Sequence, residues 1–187
     1  MTDQIAPTRR RRRGFETLGD MARSMGVVLV VVAVVVLITI RTRGEAIRVV
    51  DYRPDLSQAK IGAPFVLVAP EGLDARWRPT SDYFDPPART GVAGVTLWHI
   101  GFVTPAGQYA GMEQTNGEVH DALAAAIDSP QQSGSSSVTG TAWQRWTQPD
   151  GKRRALTRTV GTVSVVVDGT AGWAELEQLA AALRPQH

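Results

Sequence analysis

The sequence predicts an α+β protein: an N-terminal transmembrane helix followed by an antiparallel sheet packed with two helices. Three observations predict it. Residues 26–40 form a run of fifteen without a charge. Beyond residue 43, short stretches alternate apolar and polar side chains between turn residues, which is the pattern of hairpins. Two other stretches space apolar residues at three and four, which is the pattern of a helix with one buried face.

The apolar run comes first in the chain. Fifteen residues at about 1.5 Å each rise only about 22 Å, short of the ~30 Å hydrocarbon core. Extending the run back to Met21 gives twenty residues and takes in Arg23, whose long side chain can carry its charge to the headgroups. Its many valines would suit a buried strand in water. Strands of that length are rare, however, and in lipid a helix satisfies its own backbone. The expected division is an Arg-rich cytoplasmic tail over residues 1–20, a signal anchor over 21–41 and an extracytoplasmic domain over 42–187.

Charge supports this division. The whole chain of 187 residues has 20 Lys plus Arg against 18 Asp plus Glu, a formal +2, with a pI near 9.4. Residues 1–43 hold 8 Arg and 3 acids, a net of +5, and residues 44–187 hold 12 Lys or Arg and 15 acids, a net of −3. The basic character therefore belongs to the tail. Arg9 to Arg13 with Arg23 outweigh Arg41 and Arg43 across the span, which puts the N-terminus in the cytoplasm. The arginine run is read as a topology signal and a contact for anionic headgroups, not as a nucleic-acid arm. Arg12-Arg13-Gly14-Phe15 resembles a twin-arginine signal, but it lies twelve residues from an apolar run that is more hydrophobic than such signals. Gly44 and Ala46 have signal-peptidase spacing, and the intervening Arg41 and Arg43 argue against cleavage. An uncleaved single-pass anchor follows, with the lipid membrane as its partner.

The outer domain opens with a short β-like stretch over residues 46–52. Residues 64–70, bounded by prolines, form a strand of about five. Residues 76–90, with Pro79, Pro86 and Pro87, read as a surface excursion with aromatic anchors. Residues 94–104 put Thr96, Trp98, Ile100 and Phe102 on one face and Val95, Leu97, His99 and Val103 on the other, so this strand is central. Thr104-Pro105-Ala106-Gly107 turns it into a hairpin with residues 108–114. Thr115 and Glu118 have capping-box spacing ahead of a helix whose stripe is Val119, Ala122, Leu123, Ala126 and Ile127. Residues 131–137 read as a flexible polar loop. Residues 142–147, 155–160 and 162–167 are strands, with turns at 148–151 and at Asp168-Gly169. A final helix over 171–183 buries Trp173, Leu176, Leu179, Ala180 and Leu183. The two helices either flank the sheet as an α-β-α sandwich or share one side of it.

Chemistry is sparse. The chain has no cysteine, which removes disulfides, thiolate metal sites and thiol nucleophiles. His187 is the last residue, expected to be disordered, and His120 lies beside Glu118 and Asp121 on a solvated helix face. His99 on the central strand is the one histidine of interest, either as a satisfied core residue or as a catalytic group. No second histidine lies at ligand spacing, so neither metal nor cofactor is expected. There is no Gly-x-Ser-x-Gly, the serines of 133–137 are low-complexity, and neither Gly91–Gly94 nor Gly151-Lys152 completes a phosphate loop. Asp82 and Asp85 read as turn residues or as a weak acid–base pair. Lys152-Arg153-Arg154 forms a basic hairpin tip, either solvated or meeting an anionic surface. Of the five tryptophans, Trp98 and Trp173 fit core stripes, while Trp77, Trp143 and Trp146 are free to line a cleft or an interface.

Thr17-Leu18-Gly19-Asp20-Met21 precedes the valine-rich anchor. With it go Val49-Val50-Asp51-Tyr52, Pro70-Glu71-Gly72-Leu73, Gly101-Phe102-Val103-Thr104 and Glu113-Gln114-Thr115-Asn116. Together these resemble the actinobacterial domain-of-unknown-function family numbered 4245, small single-pass proteins of the cell envelope. The resemblance implies a one-pass anchor and an outer α+β domain, and it carries over no catalytic residue. The order of elements is also similar to the PsbP-like α-β-α sandwich, a fold that serves as a binding or accessory module. The expected function is non-catalytic binding of a protein or envelope ligand, with no catalytic, cofactor or metal residues assigned and no nucleic-acid partner. The alternative is an envelope-acting hydrolase or transferase using His99 and a nearby acid. A third reading, an anchor that mates inside a membrane complex, has little support from a helix with only Gly26 and Ala33 as small residues and no GxxxG.

Overall fold

A computed structural model describes residues 16–42 and 48–187. The chain divides into two compact units, Met1–Ala46 and Ile47–His187. The first contains helix α1 (Glu16–Thr42). Its side chains are described at Met21, Arg23 and residues 25–37, and all are exposed. No helix among the described residues is long and apolar enough to cross a membrane. The arginine run, the twin-arginine resemblance and Gly44 and Ala46 lie outside the described residues, as does the start of the expected 46–52 strand.

The second unit is α+β. In order it forms helix α2 (Arg53–Gly62), strands β1 (Leu67–Pro70) and β2 (Arg78–Asp85), a single-turn α3 (Pro87–Thr90), and strands β3 (Leu97–Val103) and β4 (Tyr109–Thr115). Helix α4 (Val119–Ala126) and strands β5 (Gln131–Val138), β6 (Thr141–Thr147), β7 (Arg154–Val160) and β8 (Val163–Gly169) follow. Helix α5 (Trp173–Ala182) and strand β9 (Leu183–Gln186) close the chain. Seven strands make one antiparallel sheet in the order β2-β3-β4-β8-β7-β6-β5, and β1 pairs with β9 apart from it.

Strand period sorts the side chains. Trp98, Ile100 and Phe102 lie opposite Gln114, Met112 and Ala110, and Met112 in turn lies opposite Val167 and Val167 opposite Leu156. These define one face, where Leu56 and Ala59 of α2, Leu67 and Ala69 of β1, and Leu176 and Leu179 of α5 join them in a single core. Fully burying each such large apolar side chain contributes roughly 1.5–3 kcal/mol. The other face packs Ala155, Val166 and Trp146 beneath Ala122, Leu123 and Ile127 at α4. Helices α4 and α5 thus cover opposite faces, the first of the two arrangements the sequence allows.

Several expectations need correction. Residues 76–90 are no irregular excursion, since β2 pairs with β3 along its length. It is the sheet's edge, where Pro79 forfeits no inward hydrogen bond, and the register slips between Pro79 and Ser81. Residues 131–137 form the opposite edge strand, with a similar slip between Gln132 and Gly134. An edge tolerates a polar strand because only one of its sides must pair. Thr115 caps nothing on α4: its hydroxyl donates to Thr96 O at 2.9 Å, and Glu118 precedes the helix without a side-chain cap. Asp168 and Gly169 are the last residues of β8, not a turn. Residues 48–52 form no strand, although Val50 N donates to Pro79 O at 3.0 Å. Pro54 then opens α2, which lacks the apolar stripe that would announce it. Arg184-Pro185 stops α5 as expected, but the chain runs on as β9.

Candidate functional site

The face covered by α4 is polar where the helix does not reach. Odd positions of β3 and β4 and even positions of β8 bring His99 opposite Glu113, Gly101 opposite Gly111, and Gly111 opposite Asp168. From the edge strand, Tyr83 lies opposite His99 and Ser81 opposite Gly101. The glycine pair makes the room. A Cβ on Gly111 would stand 2.6 Å from the Tyr109 hydroxyl, and one on Gly101 would meet Ser81 Oγ and Tyr109. Into that space Ser81 and Tyr109 bring their hydroxyls to His99 Nε2, at 3.5 and 3.3 Å, while the Tyr83 ring stacks on the imidazole at 4.6 Å.

His99 is 8% exposed, and its Nδ1 is buried without a hydrogen-bond partner. Burial lowers its pKa to about 4, so the ring is neutral at pH 7. Either tautomer leaves Nδ1 unsatisfied. Glu113 is raised to about 7, by burial first and then by Asp168, and its Oε1 has no partner. Asp168 is raised to about 6 by burial, although Arg153 donates to it at 3.0 Å. Burial raises the Tyr83 and Tyr109 phenols to about 12, with the neighbouring carboxylates adding to it. Among the described residues no three His, Asp or Glu side chains gather as a metal site.

Neither Asp82 nor Asp85 is a hydrogen-bond partner of His99. Asp85 pairs with Arg89 at 3.1 Å, and Asp82 alternates to the other face, where burial and then Asp55 raise its pKa to about 6. Both belong to β2, not to turns. A catalytic histidine is usually oriented through its second nitrogen by a carboxylate, an amide or a backbone carbonyl, and among the described residues no group bonds His99 Nδ1. Asp85 shares the face of Tyr83 and His99 but is held by Arg89, and the other two acids there, Glu113 and Asp168, carry no sequence motif. Only the strand register reveals them.

The opposite face carries an apolar cleft of about 400 Å³ between the sheet and the β1–β9 ribbon. Val163, Val165 and Arg158 of β7–β8, Phe65 and Val68 near β1, and Trp143 line it. Gln114 forms part of the wall, and both its amide oxygen and its amide nitrogen bond the backbone of residues 66–68. Its Oε1 accepts from Val68 N at 2.8 Å and its Nε2 donates to Val66 O at 3.0 Å. This bond, with Trp98 Nε1 to Val68 O at 3.2 Å, ties the separate ribbon to the sheet. Val66 and Val160 stand 51% and 61% exposed where the cleft opens. A second, more polar concavity of about 750 Å³ lies between α4 and β5–β7, lined by His120, Gln144, Trp146, Thr157 and Thr159 among others.

The remaining singled-out residues divide between core and surface. Trp77 and Trp143 are buried at 4%, not free, although Trp143 does line both concavities; Trp146 and Trp173 are half-buried. Arg145 lies 4.6 Å over the Trp173 ring and bonds Ser136 and Glu177, so a serine of the expected loop is structural. His120 is exposed at the edge of Trp146, as expected. The carbonyl of His187 is held by Lys60, so the last residue is tied down, not loose. The basic hairpin tip is divided: Lys152 pairs with Asp150, and Arg153 turns inward to Asp168.

No curated protein matches this chain. One family does, over residues 13–183, and its description is "Protein of unknown function (DUF4245)". A match that leaves out only the first twelve and last four residues covers helix α1 and the whole sheet, so the chain belongs to the DUF4245 family.

Proposed function

We propose that this is a single-pass membrane protein whose outer domain, residues 42–187, binds a ligand without catalysis in the apolar cleft between the sheet and the β1–β9 ribbon. The cleft carries the reading. It is concave, and its wall is mostly apolar, with Gln114, Thr139, Arg158 and Arg184 as its polar side chains. The charge imbalance of the chain and the exposed apolar side chains of residues 25–37 support the anchor, with the N-terminus cytoplasmic. A hydrolase or transferase built on His99 is the weaker reading. Ser81 Oγ lies 3.5 Å from Nε2, but nothing orients the ring from Nδ1.

Two experiments test this. Val165→Trp fills the cleft, so the fluorescence enhancement of an apolar reporter dye on the full-length chain should fall at least fivefold, while His99→Ala leaves it unchanged. Equal enhancement in wild type and Val165→Trp would overturn the cleft reading. Protease added outside spheroplasts should digest residues 42–187; their survival while a known outer domain is cut would overturn the topology.

A further inference from the structure

Resting on that cleft reading, we propose that the occupant is an amphiphile with an acyl chain and an anionic head, the chain lying on the valines and the head meeting Arg158 and Arg184. Charge complementarity carries the argument. Residues 44–187 have a net charge of −3, yet the charged side chains that line the cleft are two arginines and no carboxylate. Arg158 shares a face with Val165, its cross-strand partner, and is exposed. Among the described residues its guanidinium has no ion pair or hydrogen bond. Arg184 directs Nη1 to the carbonyls of Ala181 and Leu183, each at 2.8 Å, and among the described residues its Nε and Nη2 have no hydrogen-bond partner. A guanidinium with free N–H groups beside an apolar wall matches a carboxylate or phosphate in both charge and geometry. Gln114 offers no charge, and its amide already bonds Val68 N and Val66 O.

An acyl carboxylate and a bilayer phospholipid share this chemistry, and a membrane-tethered domain would meet both. The full-length chain in phosphatidylcholine nanodiscs is exposed to a diazirine-bearing sixteen-carbon fatty acid, to its methyl ester, or to diazirine-bearing phosphatidylglycerol placed in the disc. Labelled peptides are mapped by mass spectrometry. The acid or the phosphatidylglycerol should label residues 65–68 and 160–165, and whichever arm labels identifies the source. Arg158→Glu should cut labelling at least tenfold, Arg158→Lys should keep most of it, and the ester should label at least tenfold less. Equal labelling by acid and ester, or labelling indifferent to Arg158→Glu, would overturn the anionic head and leave the cleft reading intact. Absence of labelling by all three probes, with dye binding still sensitive to Val165→Trp, would overturn the acyl amphiphile and point to a peptide occupant. Absence of labelling with dye binding insensitive to Val165→Trp would remove the cleft reading itself.

Discussion

Replacing Glu113 with glutamine takes one ionisable group out of the polar layer beneath Tyr83 and Tyr109 and keeps its shape. The wild-type carboxyl is raised from its ordinary 4.5 to about 7 because burial and the neighbouring Asp168 disfavour its charge. The folded state therefore binds the proton more tightly than the unfolded chain does. That stabilisation is fully present below pH 4.5 and is lost as pH rises through 7. The gap from 4.5 to about 7, at about 1.4 kcal/mol per pH unit, is worth about 3 kcal/mol, and partial access of water to Glu113 trims it to about 2 kcal/mol. Glutamine does not titrate. The stability difference between E113Q and wild type should therefore shift by about 2 kcal/mol in favour of the variant between pH 5 and pH 8.5. Urea unfolding of the Ile47–His187 unit, followed by tryptophan fluorescence at both pH values, reads this difference, and contributions common to both proteins cancel. A difference that stays within about 0.5 kcal/mol across that range would refute a buried, titrating Glu113.

Three other outcomes follow from the same geometry. His99, lowered to about 4 by burial, withdraws stability as pH falls from 6.5 toward 4. H99Q should remove about 2 kcal/mol of that acid-side loss in melts at pH 4.5 and 6.5, and an unchanged acid limb would contradict the burial. Gly169 has its missing Cβ 2.9 Å from the Tyr109 carbonyl carbon and 3.0 Å from Ala110 Cα, both backbone. G169A should therefore cost more than ~3 kcal/mol or prevent folding, as read by circular dichroism and yield. Arg145 pairs with Glu177 at 2.5 Å and stacks over Trp173, so R145K, which loses the planar fork, should cost about 1 kcal/mol. A double-mutant cycle with E177Q should report coupling of the same size, and zero coupling would mean that the pair contributes nothing.

What was legible in the sequence is what periodicity encodes. The two-sided strand at residues 97–103, the stripes of α4 and α5, and the 148–151 turn all follow from local spacing. The edges were not legible, because Arg78–Asp85 carries prolines and aromatics and Gln131–Val138 is mostly serine and glutamine. Such residues enter a strand only because a neighbour offers its backbone. Strand β9 is a pairing with residues more than a hundred positions earlier, Leu67 with Gln186, which no local window contains. His99 stood out by residue type and its strand was right, but the acid that folding would bring near it had no signal in the sequence. Glu113 and Asp168 are close only through the β3–β4–β8 register.

Strand β4 sets the two kinds of buried polar group side by side. Gln114 and Glu113 are adjacent, so they point to opposite faces of the same sheet. Gln114 satisfies Val68 N–H and Val66 C=O and, together with the Trp98 Nε1 bond to Val68 O, ties the ribbon to the sheet. Folding accounts for it: without the amide, Val68 N–H and Val66 C=O would be left unpaired, at roughly 1–3 kcal/mol each. Glu113 does the reverse. One of its oxygens is buried without a partner, it faces a second acid, and its ionisation above pH 7 works against the fold. A carboxyl that E113Q shows to cost stability would be a candidate for a role other than folding. If E113Q is the more stable protein above neutral pH and yet leaves dye binding in the apolar cleft unchanged, then the layer around His99 is separate from that cleft.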